Sequence, residues 1–160
     1  MATALYMKLD GVDGECVVEG YEGWMDLLSM SFGGSQSVTF STGRGGGSGK
    51  VAMEDLQFVR LTDKCSPVVM RMLCLGQHFD EVLIHATKAT GDKPLPYFTV
   101  KLNHALISSM DIGGQGENDQ LTETGTLAYR QITVEYRIQN EDGTELGTTS
   151  AEYNVATGAT

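Results

Sequence analysis

The sequence predicts a mainly β protein, closed or nearly closed as a barrel, with one short helix at about residues 66–75. Three observations carry this reading. Apolar residues recur with the two-residue period of strands along most of the chain, and glycine, asparagine or aspartate punctuates the runs. One segment, residues 66–76, breaks that period with the start and stop chemistry of a helix. Two of the strands change parity partway, which calls either for a bulge or for cover on both faces, one side by the core and the other by a second subunit. A barrel with an extended self-association surface accounts for both cases.

Taken in chain order, Leu5, Met7 and Leu9 share one face of a first strand. Leu28, Met30 and Phe32 share one face of a second, which Gly33-Gly34 interrupts. The longest irregular stretch follows, Ser41 to Lys50, so rich in glycine that it is expected to be either mobile or fixed by contact with something else. Residues 51–61 form the next strand; Val51 and Met53 lie on one of its faces, Leu56 and Phe58 on the other. The helix spans Ser66 to Leu75. Ser66 accepts the first free amide hydrogens, Pro67 fits the first helical position, and Gly76 takes the left-handed conformation that ends it. Apolar residues nearly encircle this helix, so it is expected to be buried or to lie against a second surface. Residues 81–89, 97–109 and 126–138 are further strands, and a weak last one runs from about 148 to 155. In the third of these, Leu127 and Tyr129 give way to Ile132, Val134, Tyr136 and Ile138 on the opposite face. Asp142-Gly143 supplies a turn, since both residue types tolerate positive φ.

At 160 residues and 41% hydrophobic, the chain fits a single domain, residues 1–160, with one core. Twenty-one acids against eleven bases leave a formal charge of −10, and residues 111–160 hold nine of the acids and two of the bases. A surface of that sign repels phosphate backbones and anionic lipid, which argues against nucleic-acid binding and electrostatic membrane docking. No run approaches the ~20 apolar residues of a membrane span, so no membrane insertion is expected. The N-terminal stretch Met1 to Asp10 has neither a basic leader nor an apolar core before a small-residue cleavage site, so cytoplasmic synthesis and folding are expected. Cys16, Cys65 and Cys74 suit neither a disulfide framework nor a zinc site and are expected to be free and mostly buried.

Reaction chemistry is hard to find. Gly49-Lys50 after a glycine run resembles a phosphate-binding loop, but Arg44 stands where that motif needs glycine and Val51 where it needs serine or threonine. The segment also leads into a strand, leaving no helix N-terminus for the anion. Gly33-Gly34-Ser35-Gln36-Ser37 lacks the closing glycine and following helix of a nucleophile elbow. His78, His85 and His104 occur singly, with no pair at metal-ligand spacing. His104 shares the parity of Phe98, Val100, Leu102 and Leu106 and is expected to be a core or interface histidine. Glu117, Asp119 and Glu123 are expected to belong to a solvated acidic loop rather than to a paired-carboxylate or calcium site. The expectation is therefore no enzyme: no catalytic residues, no cofactor and no metal. The remaining choice is between a structural building block and a monomeric or dimeric β-barrel module that binds a small molecule or peptide.

The order of short motifs favours the building block. Lys8-Leu9-Asp10-Gly11-Val12-Asp13-Gly14-Glu15 is followed by Ser31-Phe32-Gly33 with Ser35-Gln36-Ser37, then by the glycine run ending Gly49-Lys50-Val51. Asp55-Leu56-Gln57-Phe58, Asp63-Lys64-Cys65-Ser66-Pro67, Gly91-Asp92 and Val100-Lys101-Leu102 come next, then Ile107-Ser108-Ser109, Gly113-Gly114-Gln115-Gly116, Leu121-Thr122-Glu123 and Asp142-Gly143. In this order and over nearly the whole chain, these segments resemble the Hcp family, the tube proteins of type VI secretion systems. The resemblance implies a two-sheet β barrel with a flanking helix, homohexameric rings, and rings stacked into a hollow tube. It also implies partners: a sheath that propels the tube, a VgrG-type spike at its end, and secreted effectors carried in the lumen. Export would proceed through the type VI system without a signal peptide. On the same resemblance, Gly43, Arg44, Gly45, Gly46, Gly47, Ser48, Gly49 and Lys50 form the loop that reaches a neighbouring subunit or ring. Gly113, Gly114, Gln115 and Gly116 match a loop near the lumen. Phe32 and Tyr153 stand at positions where the family favours tryptophan, Gln115 where a small hydroxyl residue is common, and Gln120 where arginine is common.

Overall fold

The computed structural model describes residues 2–39, 47–90, 93–142 and 144–160. The first strand, β1, covers Thr3–Leu9; β2, β3, β4 and β5 are the short strands Met25–Leu27, Ser29–Ser31, Gly34–Ser35 and Val38–Thr39. After them come β6 (Gly47–Ser48), β7 (Ala52–Met53), β8 (Leu56–Leu61) and the helix α1 (Ser66–Leu75). The remaining strands are longer: β9 (His78–Thr90), β10 (Lys93–Gly113), β11 (Thr122–Gln139) and β12 (Glu145–Asn154). Eight of the strands hydrogen-bond in the order β2-β1-β9-β10-β11-β8-β3, with β12 added along the other half of the β11 edge. The two ends of that path, β2 and β3, are consecutive in the chain and separated only by Leu28, so the sheet curls into a nearly closed barrel.

Leu28 is where the strand changes partners. Met25 and Leu27 pair with β1 and are buried; beyond the switch Met30 pairs with Phe58 of β8 and packs on the core. Leu28 itself is 60% exposed while its amide donates to the Val59 carbonyl at 2.7 Å. This corrects the expected second strand: its inward face begins at Met25 and Leu27, and Leu28 lies outside it. A single partner preserves parity, and two partners in succession do not.

Interior positions alternate as the period predicts. Met7, Ile84 and Val100 lie in one row across β1, β9 and β10, and Leu9, Val82, Leu102 and Ile132 in the next; all are buried. Tyr6, on the opposite face of β1, is buried too, in a separate cluster with Cys16 and Tyr21, so β1 is covered on both sides. The helix has the predicted bounds and lies against β10, with Val69 and Met72 in the core. Its apolar circumference is only partly covered, since Cys74 and Leu75 are exposed. Its left-handed end is Gly76, at φ 61°, whose amide bonds to Leu73 O while Gln77 N reaches Met72 O. The N-cap is Cys65 rather than Ser66. Ser66 is buried, and its hydroxyl accepts from the Asp63 amide at 3.0 Å and from the Arg60 guanidinium at 3.1 Å.

Both parity changes have structural causes. Between β3 and β8 the paired residue numbers sum to 88 (Ser31 with Gln57), between β4 and β7 to 87 (Gly34 with Met53), and between β5 and β6 to 86 (Val38 with Ser48). Residues 29–39 and 47–59 thus pair as one long two-stranded ribbon with a one-residue slip at each step, and such bulges account for the switch from Met53 to Leu56. In β11 the register against β10 is unchanged on either side of the switch: Gln131 pairs with Asn103 and Tyr129 with Ala105. Here three strands shift together. Burial passes from Phe79 to Val82 in β9, from Ala105 to Leu102 in β10 and from Leu127 to Ile132 in β11, across a row made of Asp80, His104 and Arg130. His104 is the non-glycine residue at positive φ among the described residues, at 49°, and it is exposed. It is therefore not a core histidine. Its own backbone produces the parity change that the assignment to the face of Leu102 had assumed away.

Candidate functional site

The predicted assembly loop, residues 43–50, is described only in its second half. Gly43, Arg44, Gly45 and Gly46 lie outside the described residues. Gly47 and Ser48 form β6 against Val38 and Thr39, and the Gly49 amide donates to Ser37 O at 3.0 Å, so this half of the stretch continues the ladder and is not irregular. Lys50 is exposed beside it, as is Val38, at 51%. Gly49 lies close against Ser37, so that a Cβ there would have to turn the Ser37 hydroxyl aside.

The second predicted loop leaves the far end of β10. Gly113, Gly114, Gln115 and Gly116 are all exposed, and Asn118 N closes a turn onto Gln115 O at 3.0 Å. Gly114 lies so close to Leu121 that an added Cβ would meet that side chain. Exposed apolar side chains gather around the base of this loop: Ile112, Leu121 and Leu61 are 39%, 48% and 39% exposed, and Thr62 N bonds to Leu121 O at 3.0 Å. The described parts of the two predicted loops thus lie on different parts of the barrel, Gly47 to Lys50 on the ribbon and Gly113 to Gly116 beyond β10.

Immediately behind the second loop lies a buried charge network that sequence reasoning missed. Glu123 is not part of the solvated acidic loop. It is fully buried on β11, directly across from Arg60 of β8, and its Oε2 accepts from Arg60 Nε. Arg60, 1% exposed, also contacts Asp63 at 3.1 Å and donates to Cys65 Sγ at 3.2 Å. Burial works against the charge on Asp63, but hydrogen bonds from the Cys65 thiol and amide, with the Arg60 guanidinium, outweigh it and hold the carboxyl below its ordinary value. Burial pushes the Cys65 thiol up to about 12, reinforced by the Asp63 carboxylate. Such a thiol stays protonated at neutral pH and is a poor nucleophile. The signal was present in the sequence, since Glu123 shares the parity of Gly125 and Leu127, but its partner is 63 residues away.

On the outer face of β1 and β9, Tyr21 Oη and His85 Nδ1 are hydrogen-bonded at 3.1 Å. Burial raises the Tyr21 phenol to about 12, and burial together with nearby Arg137 lowers His85 below the ordinary imidazole value. Among the described residues no group of three or more His, Cys, Asp or Glu side chains is placed to hold a metal ion, and no helix is long and apolar enough to cross a membrane.

β12 bonds to β11 from Gln131–Asn154 to Gln139–Glu145, and its other edge has no strand partner among the described residues. Tyr136, Ile138 and Leu146, at 42%, 41% and 62% exposed, lie along the same pair of strands. A bare edge flanked by apolar side chains is a template for joining another strand.

The family model described as "Type VI secretion system effector, Hcp" matches residues 6–136. Protein hcp1 of Pseudomonas aeruginosa is 36% identical over 147 residues, covering 92% of this chain and 91% of that protein. A solved type six secretion system protein superposes with a TM-score of 0.91 at 28% identity, covering 99% of each chain. Hcp1 from Salmonella typhimurium shares the fold, with a TM-score of 0.81 at 24% identity over 99% of this chain and 98% of that one. This chain belongs to the Hcp family of type VI secretion proteins.

Proposed function

We propose that this chain is the tube subunit of a type VI secretion system. Six copies close a ring, rings stack into a hollow tube, and the tube is driven by a sheath, ends in a VgrG-type spike and leaves the cell with effectors in its lumen. The chain itself does no catalysis. Family membership supports this reading, and the observation that carries it for this molecule is the ten-residue edge of β12, without a strand partner among the described residues, beside exposed Tyr136, Ile138 and Leu146. An isolated barrel ordinarily covers or charges such an edge. β12 carries Glu145 and Glu152 towards its two ends, but between them Thr148, Thr149, Ser150 and Ala151 are small uncharged residues over which another backbone fits closely. The ribbon tip at 43–50 is assigned to contact with a neighbouring subunit or ring, and the loop at 113–116 to the lumen.

Mass in solution tests the ring. Light scattering at micromolar concentration is expected to give about six times the 17.2 kDa subunit. A single-subunit mass would favour the ligand-binding barrel module instead. Deleting residues 43–49 should weaken assembly while leaving the far-ultraviolet dichroism of the barrel intact, and unchanged rings and tubes would remove that segment from the interface.

A further inference from the structure

Residues 10–24, between β1 and β2, form a strap across the outer face of the sheet, and the backbone of that strap is tied to itself rather than to the strands beneath. Gly14 N bonds to Gly23 O at 2.7 Å, Gly23 N to Cys16 O at 3.0 Å, Cys16 N to Trp24 O at 3.1 Å and Tyr21 N to Val18 O at 2.9 Å. Among the described residues no backbone bond runs from it to β9 or β10. Gly11 and Gly23 stand near its two ends, both at φ 79°, a conformation that glycine adopts at little cost. Side chains hold the strap down. Tyr21 lies flat on Tyr6 of β1 with ring centroids 4.3 Å apart, Trp24 sits against the His85 ring at 4.9 Å, and Tyr21 Oη and His85 Nδ1 are hydrogen-bonded at 3.1 Å. A unit with internal backbone bonds, glycine ends and a side-chain clasp can open while the barrel stays folded.

We propose that the strap is a pH-operated cover: a proton taken up by His85 in mildly acidic solution releases Asp13 to Trp24 from the outer face of β1 and β9. His85 is the member of the clasp that changes charge in that range. Around it the strap contributes Tyr21 and Trp24, with Cys16 buried in the same cluster, and β1 contributes Tyr6, its cross-strand partner. Lys8 and Lys101 flank Leu83 one row along the same face, and Arg137 of β11 is near enough for its charge to act on the ring. Negative groups are present as well. Glu135, in the cross-strand row of His85 and Thr99, contacts Arg137 at 3.1 Å; Asp26 lies beyond Tyr6; Glu19 and Glu22 line the groove beside His85, and Glu22 accepts from the Gly20 amide at 3.0 Å. Burial first, and then Arg137, outweigh these and favour the neutral imidazole. With the strap open, His85 is in water and takes a proton near ~6.5. Opening is therefore coupled to proton uptake and increases as pH falls. It uncovers Tyr6 and Cys16, both buried under the closed strap.

Hydrogen exchange of the assembled protein between pH 7.5 and 5.5, read by mass spectrometry with every amide corrected for its intrinsic rate, measures the opening. The opening constant of the strap peptide is expected to rise below about pH 6.5, by at most about tenfold per pH unit because a single proton is taken up. Peptides of β9 and β10 containing Ile84, Val100 and Leu102 should keep their protection. His85→Gln should remove the rise, and the slope against pH is the readout, so a strap loosened to the same extent at every pH by this variant still meets the expectation. Arg137→Gln leaves His85 in place and should make the total rise smaller. Three results would overturn the proposal: a strap as protected as the barrel at every pH, a rise shared equally by strap and barrel, or a rise that persists in His85→Gln. The first means the strap does not open in the assembly, the second that acid loosens the whole fold, and the third that another group, such as Glu19 or Glu22, is responsible.

Discussion

Arg60 is a fully buried cation with a defined set of partners, and its removal exposes what it neutralises. Glu123 is 0% exposed and its Oε1 has no hydrogen-bond partner among the described residues, so it depends on Arg60 for compensation. Arg60→Ala is expected to cost about 3–5 kcal/mol in chemical denaturation, since it strands a buried charge. Arg60→Met combined with Glu123→Leu should cost far less than Arg60→Ala, because it removes both charges; a double variant as unstable as the single one would show that packing, not charge, dominates the site. His85 gives a separate signature in pH. Its folded value lies below the unfolded one near ~6.5, so the unfolded chain binds the extra proton. Stability from this group is then complete above about pH 6.5 and is lost as pH falls through the lowered folded value. Asp63, also lowered, acts only further down, below about pH 4, where the unfolded carboxyl takes its proton. Thermal midpoints should therefore decline from pH 6.5 downward, and His85→Gln should flatten the upper part of that decline while leaving the part below pH 4. An identical profile in the variant would assign the upper decline to another group.

At the scale of elements, β8 and β11 are held in register by a glycine facing an aromatic. Gly125 pairs directly with Phe58, whose ring covers it so closely that a Cβ would meet Cε1 at 2.7 Å. Phe58 is completely buried and has nowhere to swing. Gly125→Ala is thus expected to destabilise the fold by about 1–3 kcal/mol through overpacking, read as a lower denaturation midpoint with unchanged slope; a neutral outcome would mean that the ring has room to shift. This pairing also marks the border of what local sequence conveys. The bounds of α1 were legible because Pro67 and Gly76 act through their own backbones, and β1 and β9–β11 because one buried face imposes a two-residue period. Leu28 was misread because its strand serves two partners in turn, and His104 because a three-strand kink moved the inward face by one residue. Glu123 looked like part of an acidic loop because the residue that justifies its burial is remote in the chain. The candidate assembly segments were recognisable by glycine density and motif order, whereas the continuation of the ladder through Gly47 and Ser48 depends on cross-strand bonds that no local pattern encodes.

For the whole molecule, the surface sets a conflict between attraction and repulsion. Each subunit carries a formal −10, so a ring of six carries −60, and two rings approaching face to face repel over distances comparable to the screening length. In the assembly proposed above, contacts within a ring would bury backbone edges and apolar side chains and should be nearly independent of salt. Contacts between rings would fall to loops of glycine and charged residues, where individual ion pairs are worth only ~0 to 1 kcal/mol, so the net repulsion would decide the outcome. At 0.01 M ionic strength the Debye length is about 30 Å and at 0.15 M about 8 Å, which takes the repulsion from ring-sized to local. Sedimentation across that range is expected to show one ring-sized species at low salt and progressively larger stacks as salt rises, with no change in the mass of the smallest species. If stacks instead dissolve with added salt, attractive pairs such as Arg44 or Lys50 against Glu117 or Asp119 of the next ring outweigh the net charge, and stacking is held by those pairs.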